Sequence, residues 1–404
     1  MIVVGGTYSE ICFEPIWENI YGSGLRAVNL ILENDKSQKV DFYTCADRIE
    51  IQPYLEYTAK IYSNLTNHIT EVFKSPEFHY DHPLKTPVIY PRPDVFSAHP
   101  ILIEVMGDNI LAYGLLEAAI KIQGDKVVYD PQSPFNPKSF SSTGSKAKQL
   151  ITIVNLSEAQ KLTNCTQMKD IVDFFFDKEL CSALIIKMGA KGALLFESRN
   201  ERPVNIPVFR TNKVWPIGSG DVFSSYFALN WFKNIDLKTS TLLASKATAI
   251  YCNSKDLAIS NSLNSFDYPE LTIEESPKGK IYLAGPFFTF SQRLLVNDIW
   301  NKFKALGLKV FSPFHDVGHG KAQDVVDKDL RGLDESEVVF AIIDGLDPGT
   351  LFEVGYAISK KIKVVAYVQN EGEESLKMLE GTNCIIESDF ATAIYKTYWT
   401  LASR

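Results

Sequence analysis

The sequence predicts an α/β protein of two domains, each a largely parallel sheet flanked by helices. Three observations carry that expectation. The chain has 404 residues, long for one domain and comfortable for two. Apolar, β-rich runs alternate with helical patterns along its whole length. The polar stretch "DYPELTIEESPKGK" at 267–280 interrupts the alternation, which then restarts with "IYLAGP". The expected domains are therefore residues 1–268 and 279–404.

In the first domain the strand candidates are Ile2–Val4, Ile101–Val105, Val127–Tyr129, Ile151–Val154, Leu184–Lys187 and Ala193–Phe196. The middle ones are continuous hydrophobic runs, as in strands buried on both faces. Residues 50–98 are aromatic, proline-bearing and irregular, which suits a subsidiary sheet, a lid or an interface. In the second domain the order is strand "IYLAGP", a helix over about 290–306, strands "LKVFSPF" and "VVFAIID", a helix over about 350–361, strand "KVVAYV" and a closing helix from Phe390. In its first helix Leu295, Ile299, Trp300, Phe303 and Leu306 fall on one stripe. This is the pattern of a small flavodoxin/Rossmann-like doubly wound fold.

Bulk composition narrows the function. A hydrophobic share of 45% and a charged share of 22% are ordinary for a soluble globular protein. A net charge of −8 argues against a nucleic-acid partner, which favours a basic surface. No apolar run approaches the ~20 residues needed to span a bilayer, and "MIVVGG" is a strand and turn rather than a signal peptide. The six cysteines form no CxxC pair. That spacing suits a reduced compartment and neither a disulfide framework nor a zinc site. A cytoplasmic protein is expected.

In the first domain, "WPIGSGDVFSSYFALNWF" places Gly218, Ser219, Gly220 and Asp221 at a helix start. Backbone amides of such a turn, with the helix dipole, favour an anion. The acid could take a proton from an attacking hydroxyl, or simply occupy a first helical turn. With "VVYDPQ" (127–132), "IVNLSEAQKL" (153–162) and "LIIKMGAKGALLF" (184–196), the order and spacing resemble the ribokinase-like (PfkB) sugar and nucleoside kinases over about residues 1–265. The resemblance implies a ribokinase-like α/β domain that uses ATP and Mg2+. Asp221 would be the general base and Gly218, Ser219 and Gly220 the anion hole. Asn155 and Glu158 would organise phosphates and, indirectly, metal, with Gly189 and Gly192 near the nucleotide. Two departures stand out. Trp215-Pro216 replace the family's Asp-Thr, and Val28 in "GSGLRAVNL" stands where a sugar-binding Asn is expected. A valine cannot hydrogen-bond a ribose hydroxyl.

In the second domain, "LDPGTLFEVGYA" (346–357) carries the acid Glu353. Thr350-x-x-Glu353 has capping-box spacing, which predicts a helix start there. The preceding strand places Glu353 in the first helical turn, where the dipole would keep it ionised. Together with "IYLAGPFF" (281–288) and "DKDLRGLDESEVVFAIIDG" (327–345), this stretch resembles the nucleoside 2-deoxyribosyltransferase family over about residues 279–404. Asp347 lies six residues before Glu353 and Asp329 lies 24 before it. The resemblance implies that Glu353 is a nucleophile forming a glycosyl ester. Asp347 and Asp329 would handle base protonation and sugar orientation, and Tyr282 would position Glu353. No cofactor is implied for this domain. Gly285, Phe287 and Phe288 are candidates for substrate contact, although the phenylalanines fit a core equally well. "FHDVGHGK" reads as a substrate-facing loop carrying His315; His319, four residues on, lacks a third metal ligand nearby. Asn383 is a candidate for completing a neighbouring subunit's site, which implies a homo-oligomer.

The expected activity is cleavage or exchange of the N-glycosidic bond of (deoxy)nucleosides, acting on nucleosides, nucleobases or nucleotides, fused to a first domain that the resemblance implies could phosphorylate a sugar or nucleoside with ATP. Two alternatives stand beside it. One is a nucleotide or dinucleotide N-glycoside hydrolase with a phosphate-recognising first domain. The other is a nucleotide-sensing scaffold with an inactive kinase domain.

Overall fold

Residues 1–97, 101–133, 136–272, 277–318 and 320–403 are described by the computed structural model of the chain. They form two compact units. The first comprises Met1–Thr211 with Trp215–Thr272, and the second comprises Asn212–Val214 with Ile273–Arg404.

The first unit is built on a nine-stranded sheet. Its order is Val204–Ile206, Ala193–Phe196, Ala183–Lys187, Lys146–Asn155, Ala118–Asp130, Ile101–Tyr113, Ile2–Val4, Val40–Asp47 and Leu65–Val72. Ala193–Phe196 runs antiparallel to both its neighbours, and the other pairings are parallel. Both faces are covered, which is why runs such as Ala183–Ile186 are apolar without alternation. On one face, Leu25, Val28 and Ile31 of helix Gly22–Asn34 pack with Val222, Phe223 and Phe227 of helix Ser219–Trp231. On the other, Ala159, Ile171, Val172 and Phe175 come from helices Leu156–Thr163 and Met168–Asp177.

The irregular 50–98 region divides. Helix Ile51–Ile61 and strand Leu65–Val72 extend the main fold, whereas Glu77–Tyr80 and Val88–Tyr90 join Ser9–Cys12 and Trp17–Ile20 in a separate four-stranded sheet. A short sequence rich in aromatics and prolines carries no period that separates these two roles.

The second unit holds an all-parallel five-stranded sheet, ordered Lys309–Phe311, Lys280–Ala284, Val338–Ile342, Lys363–Tyr367, Ile385–Glu387. In chain order this is 2-1-3-4-5, the flavodoxin-like doubly wound arrangement. Helix Phe390–Ala402 begins where the sequence placed it. Helix Phe290–Ala305 buries Val296, Ile299 and Phe303. Helices Ala322–Asp334 and Glu373–Glu380 were not anticipated; they bury Leu333, and Leu376 with Leu379, respectively. The strand order reverses between Lys280–Ala284 and Val338–Ile342. In open α/β sheets ligands bind beyond the carboxyl ends of the strands at such a reversal.

One local expectation is corrected. Helix Pro348–Ser359 is capped by Asp347, whose carboxylate accepts from the Thr350 amide at 2.8 Å and the Thr350 hydroxyl at 2.9 Å. Pro348 follows at the first helical position, where its missing N–H costs nothing. Thr350-x-x-Glu353 is thus not the capping box. Glu353 is the sixth residue of the helix, one turn deeper than the motif implied.

Candidate active site of the second unit and cavity of the first

In the second unit three expected residues converge at the strand-order reversal. Tyr282, on the first strand, is fully buried, and its hydroxyl donates to Glu353 Oε1 at 2.6 Å. Glu353 reaches this point from the helix that follows the third strand. Asp329, on helix Ala322–Asp334, is close enough for its charge to act on both groups. Its Oδ1 is buried with no hydrogen-bond partner, an arrangement that costs free energy unless a ligand fills it.

The electrostatics reverse the sequence expectation for Glu353. Burial pushes its carboxyl up to about 8, the Tyr282 hydrogen bond works against that rise, and the charges of Asp329 and Asp347 add to it. The helix dipole acts only within the first turn and Glu353 lies beyond it. Burial also raises Asp329, to about 6, and drives the Tyr282 phenol above its usual range. Asp347 is committed to the helix cap while its charge still reaches Glu353.

The other expected contacts are more dispersed. Gly285 lies tight against Ile342, so a side chain there would collide with the third strand, its Cβ falling 2.8 Å from Ile342 Cδ1. Phe287 stacks on Phe288 at 5.4 Å, and Phe288 is 69% exposed, which excludes the core reading for that ring. His315 has both ring nitrogens engaged, with Ser312 at 3.1 Å and Asn297 at 2.8 Å, and lies flat on Trp300. Burial lowers its basicity. Asn383 is exposed, in a left-handed turn at φ +59°. His319 lies outside the described residues.

In the first unit a cavity of about 510 Å3 gathers most of the expected positions: Gly218, Ser219, Gly220, Asp221, Asn155, Glu158 and Gly189. Gly218 sits at φ +76° as the residue before helix Ser219–Trp231, so the glycine turn does present helix-start amides. Gly192 closes the neighbouring turn at φ +87° and is not on the cavity wall. Asn155 and Glu158 form a reciprocal capping box, each side chain bonded to the other's backbone amide at 2.9 Å. Burial lifts the Glu158 carboxyl to about 7.

Asp221 is not free. Its Oδ2 contacts Arg26 at 2.5 Å and its Oδ1 accepts from Gln132. Arg26, fully buried on helix Gly22–Asn34, also pairs with buried Glu10. Among the described residues no group of three or more His, Cys, Asp and Glu side chains is placed to hold a metal ion, and no helix is long and apolar enough to cross a membrane.

Comparison with known proteins follows the same division. Residues 86–263 match the family model of pfkB family carbohydrate kinases, and residues 281–389 match that of nucleoside 2-deoxyribosyltransferases. The chain therefore carries, in order, a segment similar to the first family and a segment similar to the second. Among solved structures, ribokinase from Thermotoga maritima is 16% identical, with 66% of this chain and 98% of that chain covered and a TM-score of 0.49. A fructokinase from Vibrio cholerae O395, crystallised with fructose, ADP and calcium, is 14% identical over 66% and 98%, with a TM-score of 0.49. Aminoimidazole riboside kinase from Salmonella enterica is 15% identical over 66% and 99%, with a TM-score of 0.46. No curated protein matches the chain.

Within the pfkB-family domain, sequence reasoning missed Arg26, Glu10, Gln132 and the pair Lys187–Asp130. Lys187 Nζ contacts Asp130 Oδ2 at 2.6 Å on the cavity side of the sheet, and Ser224 bonds the same oxygen at 2.7 Å. A signal for Arg26 was present. A lone cation inside the apolar helical run "GLRAVNLIL" is almost never fully buried without a partner. Its partners lie 16 and 195 residues away, and no local pattern identifies them.

Proposed function

We propose that the second domain cleaves the N-glycosidic bond of a nucleoside and passes the sugar, through an ester on Glu353, to a second base. The observation that carries this reading is the Tyr282–Glu353 hydrogen bond beside the unpartnered Oδ1 of Asp329. In the proposed step Glu353 Oε2 attacks the anomeric carbon from below while Tyr282 holds Oε1. The carbon–nitrogen bond breaks, its electron pair leaves on the base, and Asp329 supplies the proton that the base accepts. Positive charge building on the sugar is met by the carboxylate beneath it. A second base then attacks the anomeric carbon of the ester, the bond to Glu353 Oε2 breaks to return the carboxylate, and the base gives up a proton to Asp329, with net retention. Asp347 supports the scheme by fixing the helix that carries Glu353 and by presenting a second charge near the sugar.

Between about pH 6 and about pH 8 the pair holds one proton, and the higher value of Glu353 favours that carboxyl for it, so the proposed step uses the minor form in which the proton sits on Asp329 and Glu353 is ionised.

For the first domain we infer a nucleotide-binding pocket. ATP phosphates would lie on the Gly218–Gly220 amides near Lys187, with Mg2+ carried on the phosphates near Glu158. Six free cysteines suit a reducing cytoplasm. A homo-oligomer in which Asn383 serves a neighbouring copy completes the reading.

The test is incubation of the protein with a deoxynucleoside and a different free base, followed by chromatography. New nucleoside is expected. Free base and free sugar alone would move the reading to a hydrolase. No change with any purine or pyrimidine would reject glycosidic chemistry for this domain.

A further inference from the structure

The buried contacts of Asp221 go beyond what either family match implies. Arg26, Glu10 and Gln132 form one chain of side-chain contacts with the Asp221 carboxylate in the first unit. The Arg26 guanidinium lies against Gly218 so closely that a Cβ there would fall 2.2 Å from its central carbon. It bonds Asp221 Oδ2 on one side and Glu10 Oε2 on the other, and the Tyr21 ring covers it with its centroid 4.9 Å away. Gln132 takes the remaining Asp221 oxygen. The backbone is pinned as well, since the Asp221 carbonyl accepts from Tyr113 at 3.1 Å and Ser225 at 2.5 Å. Arg26, Glu10 and Asp221 are each less than a tenth exposed.

We propose that Arg26 locks Asp221 in an internal ion pair, so that the first domain holds a nucleoside triphosphate without transferring its terminal phosphoryl group. The proposal rests on the nucleotide-binding reading above. Transfer to an acceptor alcohol needs the hydroxyl proton to pass to Asp221 while oxygen bonds to the γ-phosphorus and the β–γ bridge breaks onto ADP. Here both carboxylate oxygens already accept hydrogen bonds. Taking the proton would break a charge-assisted contact to a guanidinium with no route to water. Ser219 and Gly220 of the helix start and Lys187 line the cavity, and Arg26 is not among its lining residues.

Removing Arg26 alone would leave Glu10 and Asp221 as buried like charges, so the informative variant is the double substitution Arg26→Gln with Glu10→Gln. Two readouts are needed: binding of a non-hydrolysable ATP analogue by calorimetry, and ADP release from ATP with Mg2+ and a panel of sugars and nucleosides. The wild type is expected to bind the analogue and to release ADP only at background. The double variant is expected to bind it equally well, which also reports its folding, and to release ADP about 100-fold faster, the usual worth of a freed general base. Adding Asp221→Asn to the double variant should remove that gain. Wild-type phosphorylation of any acceptor that Asp221→Asn abolishes would overturn the lock. A double variant that binds the analogue yet stays at background would overturn it too. Failure of the wild type to bind the analogue would instead remove the nucleotide reading, and the lock's purpose with it.

Discussion

Two acids stand near the starts of two helices in this chain, and their surroundings differ in sign. Asp221 faces a buried guanidinium and an amide that occupy both its oxygens. Glu353 faces one tyrosine hydroxyl and the charges of two other acids. The first carboxylate is satisfied before any ligand arrives. The second is under-satisfied, and Asp329 beside it has an oxygen with no partner. Unsatisfied buried polar groups cost stability and persist where function needs them. The contrast teaches that a motif acid is judged by what its carboxylate already touches. Position at a helix start is a weaker guide.

The largest expected effect tests the under-satisfied side. Glu353→Ala should lower glycosidic turnover on the order of 10³-fold or more, measured by base release. Asp329→Asn keeps the shape but cannot deliver a proton, and should cost about 10²- to 10³-fold. It should also simplify the pH profile. In the wild type kcat/KM should be bell-shaped: below about pH 6 both carboxyls are protonated and the nucleophile is lost, and above about pH 8 both are ionised and the acid is lost. Asp329→Asn should leave a single limb. An unchanged bell would separate Asp329 from the proton transfer.

A smaller effect concerns the tyrosine. Tyr282→Phe removes the hydrogen bond that opposes the rise at Glu353, so that limb should move above about 8. Turnover should fall about 10- to 100-fold, the worth of a hydrogen bond to a charged group. Two stability measurements complete the comparison. Folding lifts Glu353 from 4.5 to about 8, so the folded state holds its proton more tightly and loses stability as pH rises through that window. Glu353→Gln should therefore raise the thermal midpoint of the second domain above about pH 8, with the gain fading toward pH 5. Asp347→Ala removes a helix cap and should lower the midpoint by a few °C, from about 1 kcal/mol.

Much of the architecture was legible in the sequence because it rests on period and on continuous apolar runs. The restart at "IYLAGP" and the helix from Phe390 needed nothing more. The conjunction of Tyr282, Asp329 and Glu353 was legible through family spacing. The state of Glu353 was not, because its rise comes first from burial and then from the charges of Asp329, 24 positions away, and Asp347. The helix cap was misread by one turn because Asp347-Pro348-Gly349-Thr350 and Thr350-x-x-Glu353 both satisfy capping spacing. Only the folded chain chooses between them. The pairing of Asp221 was not legible, because its guanidinium partner sits 195 residues earlier in an apolar helix.

The central claim, that Glu353 carries the sugar, is tested most directly by trapping. The protein is mixed with a deoxynucleoside without acceptor base, quenched in acid and digested, and the peptides are analysed by mass spectrometry. A pentosyl group on the peptide containing Glu353, released when a second base is added before the quench, is the predicted result. Base release at wild-type rate from Glu353→Ala, with no adduct in either protein, would contradict it.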